Sequence, residues 1–123
     1  MIDVTPVLLE QSPALAKAIA EVLEETAERV VKEGFGQHQF WNPKTGKYCT
    51  RGHFTQVVLD RYRGTKVDGL DIWTMVIAGC DMVMATHLGR GVAVWNDEPG
   101  RTREQVVSAL TASANEARAW CPA

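Results

Sequence analysis

Apolar residues return at helical spacing along most of this chain. In residues 13–33 they fall on one face of a helix, and they are Leu15, Ile19, Val22, Leu23 and Val30. Ser12 before Pro13 is typical of a helix start, and Gly34 is a common stop signal. The pattern therefore predicts a helix over residues 13–33.

Residues 36–50 have a different pattern. Two aromatic-rich runs surround a turn sequence that begins at Asn42 and ends at Gly46, which predicts a small β-hairpin. Thr50 has the side chain of an N-cap residue, so a second helix is predicted over residues 51–63.

A third helix is predicted to start at Asp68 or Asp71 and to end at Gly89. Residues 72–88 are apolar almost all round, which is typical of a core centre or a subunit interface. One narrow small or polar stripe interrupts them, and it consists of Thr74, Ala78, Asp81 and Ala85. We therefore expect a homodimer contact through residues 72–88.

Asp81 is the one charged residue of this apolar stretch. It is either buried and paired, or the stripe meets solvent through a gap in the packing; the sequence leaves both interpretations open. The stretch has 17 residues, which is short for a membrane span, and a central carboxylate opposes insertion. We expect no membrane partner.

The C-terminal part contains a short apolar run and a strong helix signal. Residues 92–95 are predicted to be extended. Thr102 and Gln105 have the spacing of a capping box, so a last helix is predicted after them, with Trp120 on its apolar face.

These elements predict a mainly α (α+β) fold, a compact bundle of about four helices with one small β-hairpin near residues 36–50. Residues 1–123 are expected to form a single domain, and residues 1–11 to be a lead-in segment. A chain of 123 residues is long enough to bury a core without disulfides or metals.

Composition narrows the function classes. The net charge of −2 and the hydrophobic share of 46% are ordinary for a soluble domain. A net charge this small does not draw the whole molecule to nucleic acid or to an anionic membrane. The three cysteines include no Cys-x-x-Cys pair, and the N-terminus lacks the pattern of an export signal. We therefore expect a cytoplasmic protein without a cofactor.

Three separated landmarks stand out in the sequence: Gly34-Phe35 with Gln37 soon after, Cys49-Thr50-Arg51-Gly52, and Trp95-Asn96-Asp97-x-Pro99-Gly100-Arg101-Thr102. Together they resemble a family of small uncharacterised proteins from actinobacteria and their phages. The resemblance implies a cytosolic, phage-associated or actinobacterial context, and it supplies no catalytic residue. It leads us to expect a small residue after Gly52, where this chain has His53.

The Trp95 landmark has two interpretations. Its Asn, Asp, Pro and Gly residues are typical of a turn before a capped helix. Alternatively, the segment forms the edge of a polar pocket. Turn geometry does not require the charges of Asp97, Glu98 and Arg101, so these three are the candidate binding residues of the motif.

Cys49, His87 and Asn96 follow one another in the order found in papain-like enzymes. Cys49 also precedes a predicted helix, whose start favours a thiolate nucleophile. A cysteine-dependent hydrolase is therefore an alternative hypothesis, beside a structural role for Cys49 at the hairpin-to-helix junction. His38, Cys49 and His53 could supply three metal ligands, but they lack the paired spacing of a structural zinc site, so no metal is expected.

Residues 34–67 hold six basic residues against Asp60 alone. Trp41 and Tyr48 suit base stacking, and Arg61 and Arg63 suit phosphate contacts. A nucleic-acid or nucleotide binder that uses residues 38–66 is thus another hypothesis. Alternatively, the aromatic residues pack the hairpin, and the basic residues dock on acidic residues 21–33 of the same or another chain.

The sequence contains no strong catalytic triad, metal set or phosphate loop. The leading hypothesis is a non-enzymatic protein-interaction or regulatory module, a phage accessory protein that acts in the host cytoplasm. Its expected partners are a second copy of the chain or a host protein.

Overall fold

Five helices make up most of the described chain, and the computed structural model describes residues 13–67 and 69–119. The helices are α1 (Pro13–Glu33), α2 (Thr50–Tyr62), α3 (Trp73–Leu88), α4 (Val92–Asn96) and α5 (Arg103–Ala119). Two antiparallel strand pairs join them, β1 (Trp41–Asn42) with β2 (Lys47–Tyr48) and β3 (Lys66–Val67) with β4 (Leu70–Asp71). The predicted mainly α fold is confirmed. The predicted lead-in segment and Trp120 lie outside the described residues.

The core lies between α1 and the three other long helices. The buried residues of α1 are Ala16, Ile19, Ala20, Val22, Leu23, Thr26, Ala27 and Val30. α5 presents small residues to α1, which lets the two helix axes approach closely. Full burial of each Ile or Leu side chain contributes about 1.5–3 kcal/mol, so this face accounts for much of the folding free energy.

α3 is covered by this core on one side only. Val76, Cys80, Val83 and Met84 are buried, whereas Met75 is 50% exposed. Thr74 and Ala78, which belong to the predicted stripe, are also exposed. Within residues 13–67 and 69–119, none of the helices has the length and apolarity needed to span a membrane.

The prediction that residues 92–95 are extended is wrong, because they form helix α4. Trp95 N–H donates to Gly91 O at 3.1 Å, and Asp97 N–H donates to Ala93 O at 3.1 Å. A strand would place Val94 on the same side as the buried Val92, yet Val94 is 64% exposed. The helix buries Val92 and Asn96 instead, so tertiary contacts override the β-branched preference for strands.

Two further boundaries differ from the prediction. Cys49 rather than Thr50 caps α2, since Cys49 Sγ accepts Gly52 N–H at 3.3 Å. Strands β3 and β4 were not predicted, and they delay the start of α3 to Trp73. The capping box is confirmed, with Gln105 N–H donating to Thr102 Oγ1 at 3.1 Å and Thr102 N–H donating to Gln105 Oε1 at 3.0 Å.

Candidate functional site

The carboxamide of Asn96 joins three segments that are far apart in the sequence. Its Oδ1 accepts the backbone N–H of Thr50 at 2.9 Å and the Thr50 hydroxyl at 2.6 Å. Its Nδ2 donates to Gly36 O and to Asp97 Oδ1, both at 2.9 Å. A carboxamide offers two N–H groups and two acceptor positions, so the fully buried Asn96 uses all of them within the protein.

Gln37 and Asp97 extend this cluster. Gln37 Nε2 donates to Asn96 O at 3.0 Å and to Glu98 O at 2.9 Å. Asp97 Oδ1 accepts the backbone N–H of His38 at 2.8 Å. His38 has a φ of 70°, which is unusual for a residue other than glycine. Asp97 therefore helps to stabilise a strained backbone where the chain enters the hairpin.

The start of α2 packs directly against the hairpin. A Cβ at position 52 would lie 2.4 Å from Phe40 O, so only glycine fits there. The next residue, His53, is fully buried; its Nε2 lies 2.8 Å from Gly34 O, and its ring centroid lies 5.7 Å from that of Tyr48. His53 thus links the end of α1 to the hairpin at the position where a small residue was expected.

Burial is the main cause that lowers the pKa of His53. The hydrogen bond with Gly34 O raises the pKa, while the nearby Arg29 lowers it and Glu33 raises it. His53 Nδ1 is buried without a hydrogen-bond partner in the described part of the chain. The fold therefore favours the neutral imidazole.

Glu98 and Arg101 follow α4 in the chain and are held by contacts with each other and with Trp95. The guanidinium of Arg101 lies 3.8 Å from the centroid of the Trp95 ring, and its Nε donates to Trp95 O at 3.0 Å. Its Nη2 donates to Glu98 Oε2 at 2.6 Å, and Glu98 also pairs with Arg90. Both candidate binding residues thus have partners inside the molecule.

The three sequence landmarks therefore meet in one polar cluster around Asn96. A model of a family of unknown function (DUF6197) matches residues 15–116. The chain belongs to this family. No curated protein and no solved structure matches it. Membership in DUF6197 is consistent with the predicted uncharacterised family, while the assignment of the Trp95–Thr102 motif to that family and its actinobacterial or phage origin stay predictions.

Beside the cluster, this DUF6197 member has two clefts that share Arg51 and Ala93, and we call them together the hairpin groove. The first cleft has a volume of about 190 Å³ and is lined by residues that include His38, Phe40, Cys49 and Asp97. The second has a volume of about 270 Å³ and is lined by residues that include Asp81, Ala85 and Val94. The hairpin, α2, α3 and α4 all contribute walls, so the groove depends on how these elements are held together.

Asp81 is paired with Arg51 in the hairpin groove. Arg51 Nε donates to Asp81 Oδ1 and to Oδ2, both at 3.1 Å. Burial is the main cause that raises the pKa of Asp81, and Arg51 opposes it. Both interpretations of Asp81 hold in part, because the carboxylate is paired and its side chain is still 32% exposed.

The structure does not bring Cys49, His87 and Asn96 together as a catalytic group. Cys49 lines the hairpin groove, whereas His87 lines a different cleft between α3 and α5. His87 Nδ1 lies 3.8 Å from Glu116 Oε2. The side chain of Asn96 is fully used in the cluster described above and has no position left for orienting a histidine.

The three histidine and cysteine residues considered as metal ligands are also separated. His38 is exposed in the groove, while His53 is buried behind Tyr48. Among the described residues, no group of three or more His, Cys, Asp or Glu side chains could hold a metal ion.

Arg61 docks on the acidic face of α1. It donates to Glu21 Oε2 at 3.1 Å and to Glu25 Oε1 at 3.0 Å, which confirms for Arg61 the predicted docking on residues 21–33 of the same chain. Arg63 is exposed at the end of α2. The basic region thus presents less unpaired charge than its composition suggests, which disfavours strong phosphate binding.

Trp41 and Tyr48 form one of the two cross-strand pairs of the first hairpin. Their ring centroids lie 6.4 Å apart, and Phe40 packs edge-on to Tyr48 at 6.0 Å. Tyr48 therefore holds both rings in place, while Trp41 remains 47% exposed.

Sequence reasoning missed three groove residues: Phe40, Arg51 and Val94. Val94 was missed because residues 92–95 were predicted to be extended, and their β-branched side chains do not indicate a helix such as α4. The sequence indicated a role for Arg51 and Phe40 only as members of the basic, aromatic region 38–66, and no pattern predicted that they lie beside α4.

Replacement of Asn96 by Ala should lower the free energy of unfolding by about 3 kcal/mol or more, because it leaves the N–H and hydroxyl of Thr50 and the carbonyl of Gly36 unpaired in the interior. Urea unfolding followed by circular dichroism measures the change. Asn42→Ala is the control, since Asn42 Oδ1 accepts only the Lys44 N–H of a turn and its loss should cost about 1 kcal/mol or less. Equal losses in the two variants would contradict this account of Asn96.

The buried His53 should make folding stability depend on pH. The unfolded chain binds a proton near the ordinary pKa of 6.5, while the folded chain resists protonation until a lower pH. The contribution of the neutral His53 to the free energy of unfolding is therefore fully present above the ordinary pKa of the unfolded chain. It declines as the pH falls toward the lowered pKa of the folded chain. His53→Gln keeps a donor for Gly34 O and cannot titrate, so its urea unfolding curves should show a smaller decline below pH 6.5. An unchanged pH slope in His53→Gln would rule out His53 as the cause.

Proposed function

We propose that this protein is a non-enzymatic protein-interaction module, a phage accessory protein that acts in the host cytoplasm and docks a host protein at the hairpin groove. The observation that carries the proposal is the exposed apolar rim of this groove. Phe40 is 44% exposed in the first cleft, Val94 is 64% exposed in the second, and Trp41, which follows Phe40 in the chain, is 47% exposed. Neighbouring exposed apolar side chains around a concave surface are typical of protein-binding sites.

Contacts within the fold also hold the aromatic part of the rim in place, which favours binding. Tyr48 contacts the Phe40 and Trp41 rings, and the Asn96 cluster attaches the hairpin to α2 and α4. Rigid aromatic side chains lose little conformational entropy on association, so they often supply most of the binding energy of an interface.

Two observations support the proposed setting. The Trp95–Thr102 motif resembles actinobacterial and phage proteins. Cys49 and Cys80 are buried free thiols, which is ordinary in a reducing compartment such as a bacterial cytoplasm.

A quantitative affinity purification from an actinobacterial host tests the docking surface. Phe40→Ser and Val94→Ser should each weaken capture of the host partner by about tenfold or more, because each removes an apolar contact from the interface. Val31→Ser is the matched control, since Val31 is 54% exposed on α1 outside the groove. The partner is then purified and titrated by calorimetry. A partner that binds both groove variants as tightly as the control would refute this surface.

We propose in addition that α3 forms a homodimer contact through its exposed side, with a second copy of the chain as the occupant. Met75 and the small neighbours Thr74 and Ala78 lie there. Residues 73–80 contain no charged side chain, so two copies of this stretch can pack around a two-fold axis without like-charge repulsion.

Met75→Asp should convert the dimer to a monomer, because each interface would then contain two uncompensated carboxylates. Sedimentation equilibrium measures the molar mass of the wild type and the variant. Thr111→Asp, on the exposed side of α5, is the control and should keep the dimer. A wild type that stays monomeric at high protein concentration disproves the α3 contact and leaves the groove proposal standing.

A further inference from the structure

Asp97 is the one carboxylate lining the hairpin groove that no arginine of the described chain neutralises. Both hydrogen bonds to the Asp97 carboxylate are accepted by Oδ1, from His38 N–H at 2.8 Å and from Asn96 Nδ2 at 2.9 Å. Its Oδ2 has no described hydrogen-bond donor, and the nearest basic atom is His38 Nδ1 at 3.8 Å. The Asp97 side chain is 32% exposed, so this second oxygen is available to a ligand in the groove.

The other charges of the groove cancel one another. Arg51 is matched by Asp81, with Nε at 3.1 Å from each carboxylate oxygen. When His38 is neutral, the residues lining the groove therefore carry one excess negative charge, and it belongs to Asp97. Charge complementarity favours a basic occupant, because an acidic one would meet the repulsion of an unmatched carboxylate.

The surroundings of Asp97 suit a long cationic side chain. Phe40 lines the same cleft and is 44% exposed, so its ring can cover the methylene groups of a lysine or arginine and attract its charge. Ala93 and Val94 continue the apolar wall into the second cleft. An occupant with a basic residue next to apolar residues fits both parts of the groove.

We propose that the hairpin groove binds an extended segment of a partner protein that places a lysine or arginine against Asp97 Oδ2 and apolar side chains against Phe40 and Val94. This inference rests on the proposed docking function and names the chemistry of the partner. A segment that passes through is favoured over a chain end, because it can occupy both clefts, which share Arg51 and Ala93 as lining residues.

The test uses a phage-displayed library of random nonapeptides selected on the full chain. The selected peptides should share a lysine or arginine at a fixed position beside apolar residues. A synthetic consensus peptide is then titrated by fluorescence anisotropy. Asp97→Asn should weaken its binding about tenfold, and this variant keeps the Oδ1 acceptor for His38 N–H. Glu104→Gln is the control, because its carboxylate is 77% exposed on α5, and binding should stay unchanged.

A change in the peptide gives the same test without altering the protein. Citrulline in place of arginine, or glutamine in place of lysine, removes the charge and should weaken binding to the wild type about tenfold while leaving binding to Asp97→Asn unchanged. If peptides bind and Phe40→Ser abolishes binding, but neither charge change matters, the inference is overturned and the docking function stands. If no selected peptide depends on Phe40, both are overturned.

Discussion

The buried carboxamide of Asn96 is the contact on which the other features depend. It uses all its hydrogen-bonding positions to connect the hairpin entrance at Gly36, the start of α2 at Thr50 and its own helix α4. Apolar packing also holds these segments, since the start of α2 lies against Phe40 and Tyr48 and Val92 of α4 is buried in the core. A directional polar contact with no unused atom defines one arrangement, because any shift would leave buried groups unpaired.

The sequence was most informative where structure depends on local interactions. The face of α1 and the capping box at Thr102 were predicted correctly, because periodicity and capping act within a few residues. Residues 92–95 were predicted wrongly, because their helix exists to bury Val92 and Asn96 against distant elements. Thr50 was wrongly predicted as the cap of α2, also because of a contact with a distant residue. Its hydroxyl donates to Asn96, and Cys49 takes the cap position instead.

The candidate site was less predictable than the fold. Asp97, Glu98 and Arg101 were selected because a turn does not need their charges, and all three have structural partners. Only Asp97 keeps an oxygen facing the groove. The groove itself combines the hairpin, α2, α3 and α4, so no single segment carried its signature. The Trp95–Thr102 motif is explained chiefly by architecture, and of its charged residues only Asp97 lines the groove with Phe40 and Val94.

Hydrogen exchange of the Thr50 amide tests the central role of Asn96 most directly. If the carboxamide holds the three segments together, this N–H is released only when the whole domain unfolds. Native-state exchange followed by NMR should then give Thr50 an opening free energy equal to that of the slowest amides of α1. Exchange of Thr50 at the rate of exposed turn amides, such as that of Lys44, would show that the segments separate independently and would contradict the account.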